Sequence, residues 1–477
     1  MRFLIRALLF LIVLGALCIG VAYLAAPRVI AGPVIELRSP EKFVGQNSSL
    51  EFLVQAPARR FSKVEATLEQ EGQSTTVFSL DPAKAGNAEV KQDSADRMWV
   101  IRRIGRQTIP TLKAGPARLT ITAARPVLYG LRDVSTTTTR DLQVRLEPPR
   151  VAVVSLHHFV NHGSAEFVVL RATPADVQAG VRVGDHEYRS YPGTSVGISD
   201  PAVRVAFFAL SYDQDLKTPI TVFARDEAAN QATSAFDYRV FPKPFAHSKI
   251  IVDDAFMQKV VPQIAETAPE ANIPTDNLLN GFLKINRDLR KENNAKIASM
   301  ATKSRPEMMW REGFSLGNIN VEARFADFRT YYYQDKEIDR QVHLGYDLAT
   351  LQHAPIEAAN RGVVIYAAPL GIYGNAVILD HGLGVQSLYG HMLTSDVKEG
   401  DAVEKGQTIG KTDSTGLAAG DHLHFTMIVD GVMVSPVEWW DPHWMEDRVF
   451  RKIREAGGKA PERAGATAPK ATKRRAG

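Results

Sequence analysis

The sequence contains very little cysteine and no strong excess of one charge, and both features limit what the protein can be. Its 477 residues include a single cysteine, Cys18, so no disulfide framework stabilises the chain and each domain depends on its own hydrophobic core. The formal net charge is only +4, and no basic stripe is interleaved with aromatic residues, so we expect no nucleic-acid partner. Phosphate-binding loops and the HExxH and GxSxG motifs are also absent, which removes the usual competing enzyme classes.

The N-terminal segment, residues 1–27, predicts targeting to a membrane. Arg2 and Arg6 precede an uncharged apolar run over residues 7–27, which is about the length needed to span a bilayer. The positive flank predicts that everything after Arg28 is exported. This length favours an uncleaved anchor over a cleaved signal peptide, whose apolar core is usually shorter. Because Leu17 precedes Cys18, a lipoprotein processing site is disfavoured, and Cys18 is interpreted as an apolar thiol in this segment.

The rest of the chain predicts a mainly β, multidomain protein. Hydrophobic residues make up 45% and charged residues 23%, as in ordinary globular proteins, and the length allows about three domains. Short alternating runs separated by Gly, Pro, Asn and Asp predict a β-sandwich module over residues 28–147 and a second β module over residues 148–245, both of immunoglobulin-like type. A helical arm follows over residues 246–312, then a compact β-rich domain over residues 313–446. Residues 447–477 are rich in Lys, Arg, Ala and Gly and predict a disordered basic tail.

Within the arm, two helices are predicted. Asp253 and Asp254 are suited to cap a short helix that ends near Val261, because Pro262 interrupts it. A second helix is predicted from Thr275 and Asp276 to about Lys303. Such an arm either packs on neighbouring domains or lies beside the groove of the domain that follows and restrains access to it.

Five residues in the β-rich domain have the types and spacing of a catalytic metal site. They fall in three short motifs: HLGYD with His343 and Asp347, LYGH with His391, and DHLHF with His422 and His424. Side chains alternate along a strand, so a His-x-His pair faces one way only on extended backbone. The apolar, β-favouring residues after His424, followed by Asp430-Gly431, predict a strand and a hairpin. Gly345 between His343 and Asp347 favours extended or looped backbone there.

The chemistry of these side chains fits zinc hydrolysis. A catalytic zinc uses three protein ligands of His and carboxylate type and leaves one position open. Hydrolysis also needs a group for proton transfer or oxyanion stabilisation, and histidine suits that task near neutral pH. The five residues exceed the ligand requirement by two, and we interpret the surplus as catalytic. His353 and His381 lie in the same region without such neighbours and are interpreted as surface or core residues. Tyr373, Tyr389 and Trp440 fit either the cleft or the core.

Residues from about Phe314 to Trp444, a little over a quarter of the chain, resemble the lysostaphin-type (LytM-like) zinc endopeptidases, which cut peptide bonds in bacterial peptidoglycan. The matching runs are HLGYDLA, YGNAVILDHGLG, SLYGHM, VKEGDAVEKGQTIGKTDSTG and GDHLHF. The resemblance implies that His343, Asp347 and His424 bind Zn²⁺, and that His391 and His422 form the catalytic pair. It also implies peptidoglycan peptides as substrate and a place in the bacterial cell envelope, with the N-terminal helix in the cytoplasmic membrane and the catalytic domain outside the cytoplasm.

Three functions remain open from the sequence. The first is an exported zinc endopeptidase that acts on peptidoglycan, with envelope proteins as its regulators. The second is a non-catalytic wall-binding scaffold or an activator of other hydrolases, a role in which members of the family typically have lost ligands. The third is a zinc protease that acts on protein substrates. All five site positions are filled here, which favours an enzyme over a scaffold.

Overall fold

The computed structural model describes residues 2–461 except 58–59, 82–88, 93, 95 and 318–319, and only the backbone of residues 2–4 and 26–28. Most of the tail predicted from residue 447, namely residues 462–477, therefore lies outside the described residues. The chain divides into two compact units: residues 1–149 with 225–232, and residues 150–224 with 233–477.

The first unit begins with helix α1, Arg2–Val29. In the described part of the chain, α1 is the one helix long and apolar enough to cross a membrane, over Ile5–Ala25, and none of that stretch is buried in the protein. An exposed apolar helix of this length fits a membrane anchor or a signal sequence.

Two sheets follow in the same unit. Their strands are β1 (Val34–Ser39), β2 (Phe43–Val44), β3 (Ser48–Gln55), β4 (Lys63–Gln70), β5 (Gln73–Ser79), β6 (Glu89–Gln92), β7 (Arg97–Ile104), β8 (Gly115–Val127) and β9 (Arg132–Val144). The strand orders are β1-β3-β7-β6 and β2-β9-β8-β4-β5. Both sheets contribute to one hydrophobic core, in which Phe52 of β3 meets Phe78 of β5 with ring centroids 5.8 Å apart. This is a two-layered β arrangement, while the bounds 28–147 of the predicted module and its immunoglobulin-like identity stay predictions.

Residues 150–251 contain further short strands. They are β10 (Arg150–Val153), β11 (His158–Asn161), β12 (Ser164–Thr173), β13 (Gln178–Val183), β14 (His186–Arg189), β15 (Tyr191–Pro192), β16 (Val203–Leu210), β17 (Ile220–Arg225), β18 (Gln231–Ala235), β19 (Tyr238–Phe241) and β20 (His247–Ile251). These strands form two four-stranded sheets and one parallel pair. The sheet orders are β10-β12-β16-β15 and β14-β13-β17-β18, and the pair is β11-β19. The immunoglobulin-like type of this region likewise stays a prediction.

The arm is helical after β20. Its elements are α2 (Asp254–Thr267), α3 (Leu278–Lys284), a π-helical turn (Ile285–Leu289), α4 (Arg290–Ser299) and a 3-10 turn (Met300–Lys303). Asp253 caps α2, as predicted, by accepting a hydrogen bond from Phe256. Asn277, rather than Thr275 or Asp276, caps α3.

The predicted end of α2 at Val261 is wrong, because the helix continues through Pro262 to Thr267. A proline inside a helix removes one backbone hydrogen bond and clashes with the preceding turn. Here Met257, Val260, Val261 and Ile264 are fully or almost fully buried on one face, and this apolar burial outweighs the defect.

The β-rich domain contains the remaining strands. They are β21 (Asn320–Ala323), β22 (Asp327–Tyr333), β23 (Lys336–His343), β24 (Tyr346–Ala349), β25 (Pro355–Glu357), β26 (Gly362–Pro369), β27 (Asn375–Gly382), β28 (Val385–Ser395), β29 (Ala402–Val403), β30 (Thr408–Thr412), β31 (His422–Val429) and β32 (Val432–Val434). The sheet order runs β21-β24-β31-β28-β27-β26-β29, and β20, β22 and β23 form a separate sheet. The predicted hairpin at Asp430-Gly431 joins β31 to β32.

The C-terminal described residues are helical: α5 (Pro442–Trp444), a π-helical turn (Met445–Phe450) and α6 (Arg451–Glu455). Lys452 on α6 is buried, with its Nζ 2.9 Å from Oε1 of the buried Glu166 and 2.8 Å from the carbonyl oxygen of Phe167. Residues 447–455 therefore differ from the predicted disordered tail, because a buried ion pair ties them to strand β12.

Candidate active site

Sheet register brings the five predicted site residues together. His343 ends β23, Asp347 lies on β24, His391 lies on β28, and His422 and His424 lie on β31. Asp347 is directly opposite His424, and Gly390, next to His391, is opposite His424 on its other side. His422 and His424 are two apart on a strand, so they face the same side of the sheet, as the motif predicts.

Three donor atoms of these residues converge on one point. Oδ1 of Asp347 lies 2.9 Å from Nε2 of His343 and 2.9 Å from Nδ1 of His424, and the two nitrogens are 3.1 Å apart. Donor atoms around a tetrahedral zinc with bonds of about 2.0–2.1 Å are separated by about 3.3 Å. The three side chains, each almost fully buried, therefore have the donor types and spacing of a zinc site.

A hydrogen bond at the far side of His343 orients its ring. Its Nδ1 donates to the carbonyl oxygen of Arg324 at 3.1 Å, because a carbonyl oxygen can only accept a hydrogen bond. Nε2 of the same ring is thereby directed at Oδ1 of Asp347 and Nδ1 of His424. A metal-bound histidine normally donates its second nitrogen to such a carbonyl.

His391 and His422 lie beside the three donors. Their ring centroids are 4.8 Å apart, and the ring of His391 is 5.7 Å from that of His424. Nδ1 of His391 donates to the carbonyl of Thr415 at 2.7 Å, and Nδ1 of His422 donates to that of Gly420 at 2.9 Å. In His391, Nε2 is thus left for chemistry, whereas Nε2 of His422 lies 3.4 Å from Oδ1 of Asp347. His391 also has a φ of +60°, a strained backbone conformation for a residue with a side chain, and such strain concentrates at functional sites.

The surroundings shift the pKa values of these side chains in different directions. Burial raises the pKa of Asp347, but the charge and hydrogen bonds of the neighbouring histidines outweigh it, so its pKa lies well below the usual range. Burial lowers the pKa of His424 to about 4, and burial together with the neighbouring histidines lowers that of His391 well below its usual value. Burial also acts to lower the pKa of His422, yet the Asp347 carboxylate raises it overall. The site therefore favours an ionised carboxylate, two neutral imidazoles and one imidazole that readily carries a proton.

Two contributors were not predicted from the sequence. Arg329 on β22 donates from Nη2 to Oδ2 of Asp347 at 3.0 Å and from Nε to Asp327 at 3.2 Å. Gly345 packs against the ring of His424 so closely that a Cβ there would come within 2.5 Å of its Cε1 atom. An arginine on a neighbouring strand has no sequence motif, whereas the HLGYD motif already marks the glycine.

The other aromatic and histidine candidates separate into cleft and core. Tyr373 packs edge-on against His424 with centroids 5.3 Å apart and lines the cleft. Tyr389 is fully buried and its hydroxyl bonds the Ala359 amide, while Trp440 stacks on Phe425. His381 is fully buried between the carbonyl of Arg361 and the hydroxyl of Ser387, as expected of a core histidine.

A cavity of about 380 Å³ opens over the donor cluster. Its walls include the loop around Leu417–Asp421 and three residues from β20 and the arm: Ile250, Phe256 and Arg290. Lys259 of α2 connects the arm to that loop, because its Nζ donates to Ser414 Oγ at 3.0 Å and to the carbonyls of Ala418 and Ala419 at 3.3 Å each. The arm therefore forms one side of the cleft.

Comparison with known proteins identifies the domain. Residues 341–436, which contain all five site residues, match the model of peptidase family M23. These residues form an M23 peptidase domain. This chain is 39% identical over 97 residues to a DD-carboxypeptidase/endopeptidase, Mpg, of Neisseria meningitidis, and 34% identical over 96 residues to the peptidoglycan DD-endopeptidase ShyA of Vibrio cholerae. The resemblance expected from the sequence is confirmed.

The matched regions are short relative to the whole proteins. They cover 20% of this chain and 22% of each of those two relatives. The catalytic domain of lysostaphin from Staphylococcus simulans is a structural neighbour at 23% identity, with 30% of this chain and 96% of that chain covered and a TM-score of 0.20.

Proposed function

We propose that the protein is a membrane-anchored, zinc-dependent endopeptidase that hydrolyses peptide bonds in peptidoglycan, with the M23 domain outside the cytoplasm. The observation that carries the proposal is the convergence of His343, Asp347 and His424 at 2.9–3.1 Å, with His391 and His422 beside them at an open cavity. A scaffold would need only the surface of the domain, whereas this arrangement keeps every group that hydrolysis requires.

His343, Asp347 and His424 would hold the ion. Zinc bound there would supply a Lewis acid that activates water and polarises the scissile carbonyl. Arg329 fixes one carboxylate oxygen of Asp347, so the other oxygen is directed at the two ligand histidines. Asp347 also keeps His422 in place, since its Oδ1 lies 3.4 Å from Nε2 of that ring.

His391 would transfer protons, and His422 would stabilise the oxyanion. The bare Nε2 of the neutral His391 can accept a proton from the attacking water and pass it to the leaving amine. The protonated His422 can donate a hydrogen bond to the oxygen on which negative charge develops. Their side chains are held by backbone carbonyls of Thr415 and Gly420, so neither ring must reorganise when a peptide enters.

The relatives support the choice of substrate. Mpg is named a DD-carboxypeptidase/endopeptidase and ShyA a peptidoglycan DD-endopeptidase, and each is similar to about a fifth of this chain. The exposed apolar helix α1 agrees with a protein held at a membrane next to the wall.

Digestion of purified peptidoglycan by the zinc-loaded, detergent-solubilised full chain tests the proposal. We expect the wild type to release peptide fragments or to open cross-links, as identified by mass spectrometry, and His391→Ala to release far fewer. Binding to the wall without any cleavage by the zinc-loaded wild type would instead identify a scaffold. Cleavage of an unfolded protein such as casein, with peptidoglycan left intact, would identify a protease of protein substrates.

A further inference from the structure

An arginine from outside the M23 domain enters the cleft. Arg290 is the first residue of α4 on the helical arm, is half-buried, and lines the same cavity as the five site residues. It lies about fifty residues before the start of the matched region at residue 341. The family's motifs therefore give no information about it.

Hydrogen bonds to Asn286 hold the guanidinium group of Arg290 in place. Its Nε donates to the carbonyl of Asn286 at 3.1 Å, and its Nη2 donates to the side-chain oxygen of Asn286 at 2.7 Å. Asn286 is fully buried, and its amide nitrogen donates in turn to Asp339 at 2.8 Å. Asn286 belongs to the π-helical turn Ile285–Leu289, and such turns are frequent at functional sites.

The charge of Arg290 has no partner in the described part of the chain. None of the carboxylates there lies within 4.0 Å of its guanidinium group, although Arg329 in the same cavity pairs with both Asp327 and Asp347. Arg287, one turn earlier on the arm, pairs with Asp339. A half-buried guanidinium that is oriented but unpaired is suited to bind an anion from solution.

The helix that carries Arg290 lies close to the proposed metal site. Asn294, one turn after Arg290 on α4, accepts a hydrogen bond from the hydroxyl of Tyr373 at 2.8 Å. The ring of Tyr373 packs against His424. The side chain of Tyr373 therefore lies between α4, the helix that carries Arg290, and His424, a proposed ligand of the metal site.

We propose that Arg290 is a specificity-determining residue that binds a carboxylate of the substrate, so that the enzyme selects peptides with a free carboxylate close to the scissile bond. This inference rests on the proposed peptidase function. An arginine fork and a carboxylate form paired, charge-assisted hydrogen bonds, which an amide in the same place cannot match.

The test compares two synthetic peptides with a bond between two D-residues. One ends in a free carboxylate and the other in the corresponding amide, and the zinc-loaded full chain in detergent is used throughout. We expect the wild type to prefer the acid, and Arg290→Gln to lower kcat/KM for the acid by about 10- to 100-fold, as for loss of a hydrogen-bonded charge, while the amide changes less than about twofold. Arg290→Lys should restore part of the preference.

Lys291→Gln is the matched control, because it removes a neighbouring positive charge that is exposed and does not line the cavity. It should leave both peptides unaffected. Equal losses on acid and amide in Arg290→Gln would show that Arg290 only supports the π-helical turn, and would overturn the proposal.

A binding measurement tests the role of Arg290 independently of the proposed peptidase activity. Calorimetry of the acid and amide peptides with zinc-free full chain requires no turnover. We expect the acid to bind at least about tenfold more tightly than the amide, and this difference to vanish in Arg290→Gln. Equal affinities in the wild type would overturn the role of Arg290, whereas selective binding without any hydrolysis by the zinc-loaded protein would leave it intact and contradict the peptidase function.

Discussion

Arg329 and Asp347 form a buried ion pair next to the metal-site candidates, with Nη2 of the arginine 3.0 Å from Oδ2 of the carboxylate. The other oxygen of Asp347, Oδ1, faces His343 and His424. Burial acts to lower the pKa of Arg329, but the charge of Asp347 raises it overall, so the pair stays ionised. Arg329 therefore fixes which carboxylate oxygen is available to a metal and in which direction it points.

We expect Arg329→Met to weaken zinc binding by about 10- to 100-fold, because groups that orient a metal ligand contribute that much to affinity. Competition with a fluorescent chelator measures the change. Arg340→Gln is the control, since Arg340 lies on the adjacent strand β23 but is exposed and pairs only with Glu337 among the described residues. Unchanged affinity in a folded Arg329→Met protein would show that Asp347 needs no such support.

Gly345 lies where the ring of His424 needs space. Gly345→Ala would place a methyl group within 2.5 Å of Cε1 of His424, so the ring must move and we expect zinc content to fall severalfold. Gly420→Ala is the matched control from the same cleft, because a Cβ there meets no atom within 4 Å. Full zinc occupancy in Gly345→Ala, measured by elemental analysis, would contradict the proposed position of His424 in the site.

His381 makes the domain sensitive to acid. Burial lowers its pKa to about 4, against 6.5 for the unfolded chain, so the folded protein favours the neutral ring. Its stabilising contribution is complete above pH 6.5 and is lost as the pH falls toward 4, by an amount on the order of 3 kcal/mol.

The difference in unfolding midpoint between wild type and His381→Gln should therefore shrink, or reverse in sign, between pH 7 and pH 4. A difference for His381→Gln that stays constant over this pH range would show that protonation of His381 is not linked to folding.

Much of the site could be predicted from the sequence because its chemistry is local in the chain. The HLH motif fixes two rings on one face of a strand by the period of two, and the structure confirms that strand as His422–Val429. The close approach of Gly345 to His424, by contrast, is a tertiary contact that the HLGYD motif does not predict.

The contributions of Arg329 and Arg290 could not be predicted, since both depend on tertiary arrangement. Arg329 reaches the site through the pairing of β22 with β23, and Arg290 through packing of α4 beside the Tyr373 turn. Pro262 led to a wrong prediction for a related reason, because the burial of neighbouring apolar side chains kept the helix intact where the local rule ends it.

The apolar helix predicts attachment to the membrane with residues 28–477 outside the cytoplasm. We expect the protein to remain in the membrane fraction after alkaline extraction, and a protease added to spheroplasts to degrade the M23 domain. Replacement of residues 7–27 by a cleavable signal should release active protein. Recovery of a wholly soluble mature protein that begins near Tyr23 would contradict the anchor.

The zinc content of single variants, measured with their activity on peptidoglycan, tests the central claim most directly. Alanine at 343, 347 or 424 should give protein with little zinc and no activity, because each removes one of the three converging donors. Alanine at 391 or 422 should keep close to one zinc per chain and reduce the rate by about 10²- to 10⁴-fold. A zinc-free His422→Ala beside a zinc-loaded His424→Ala would reverse the assignment within the HLH motif, and undiminished cleavage by all five variants would contradict the zinc-enzyme account.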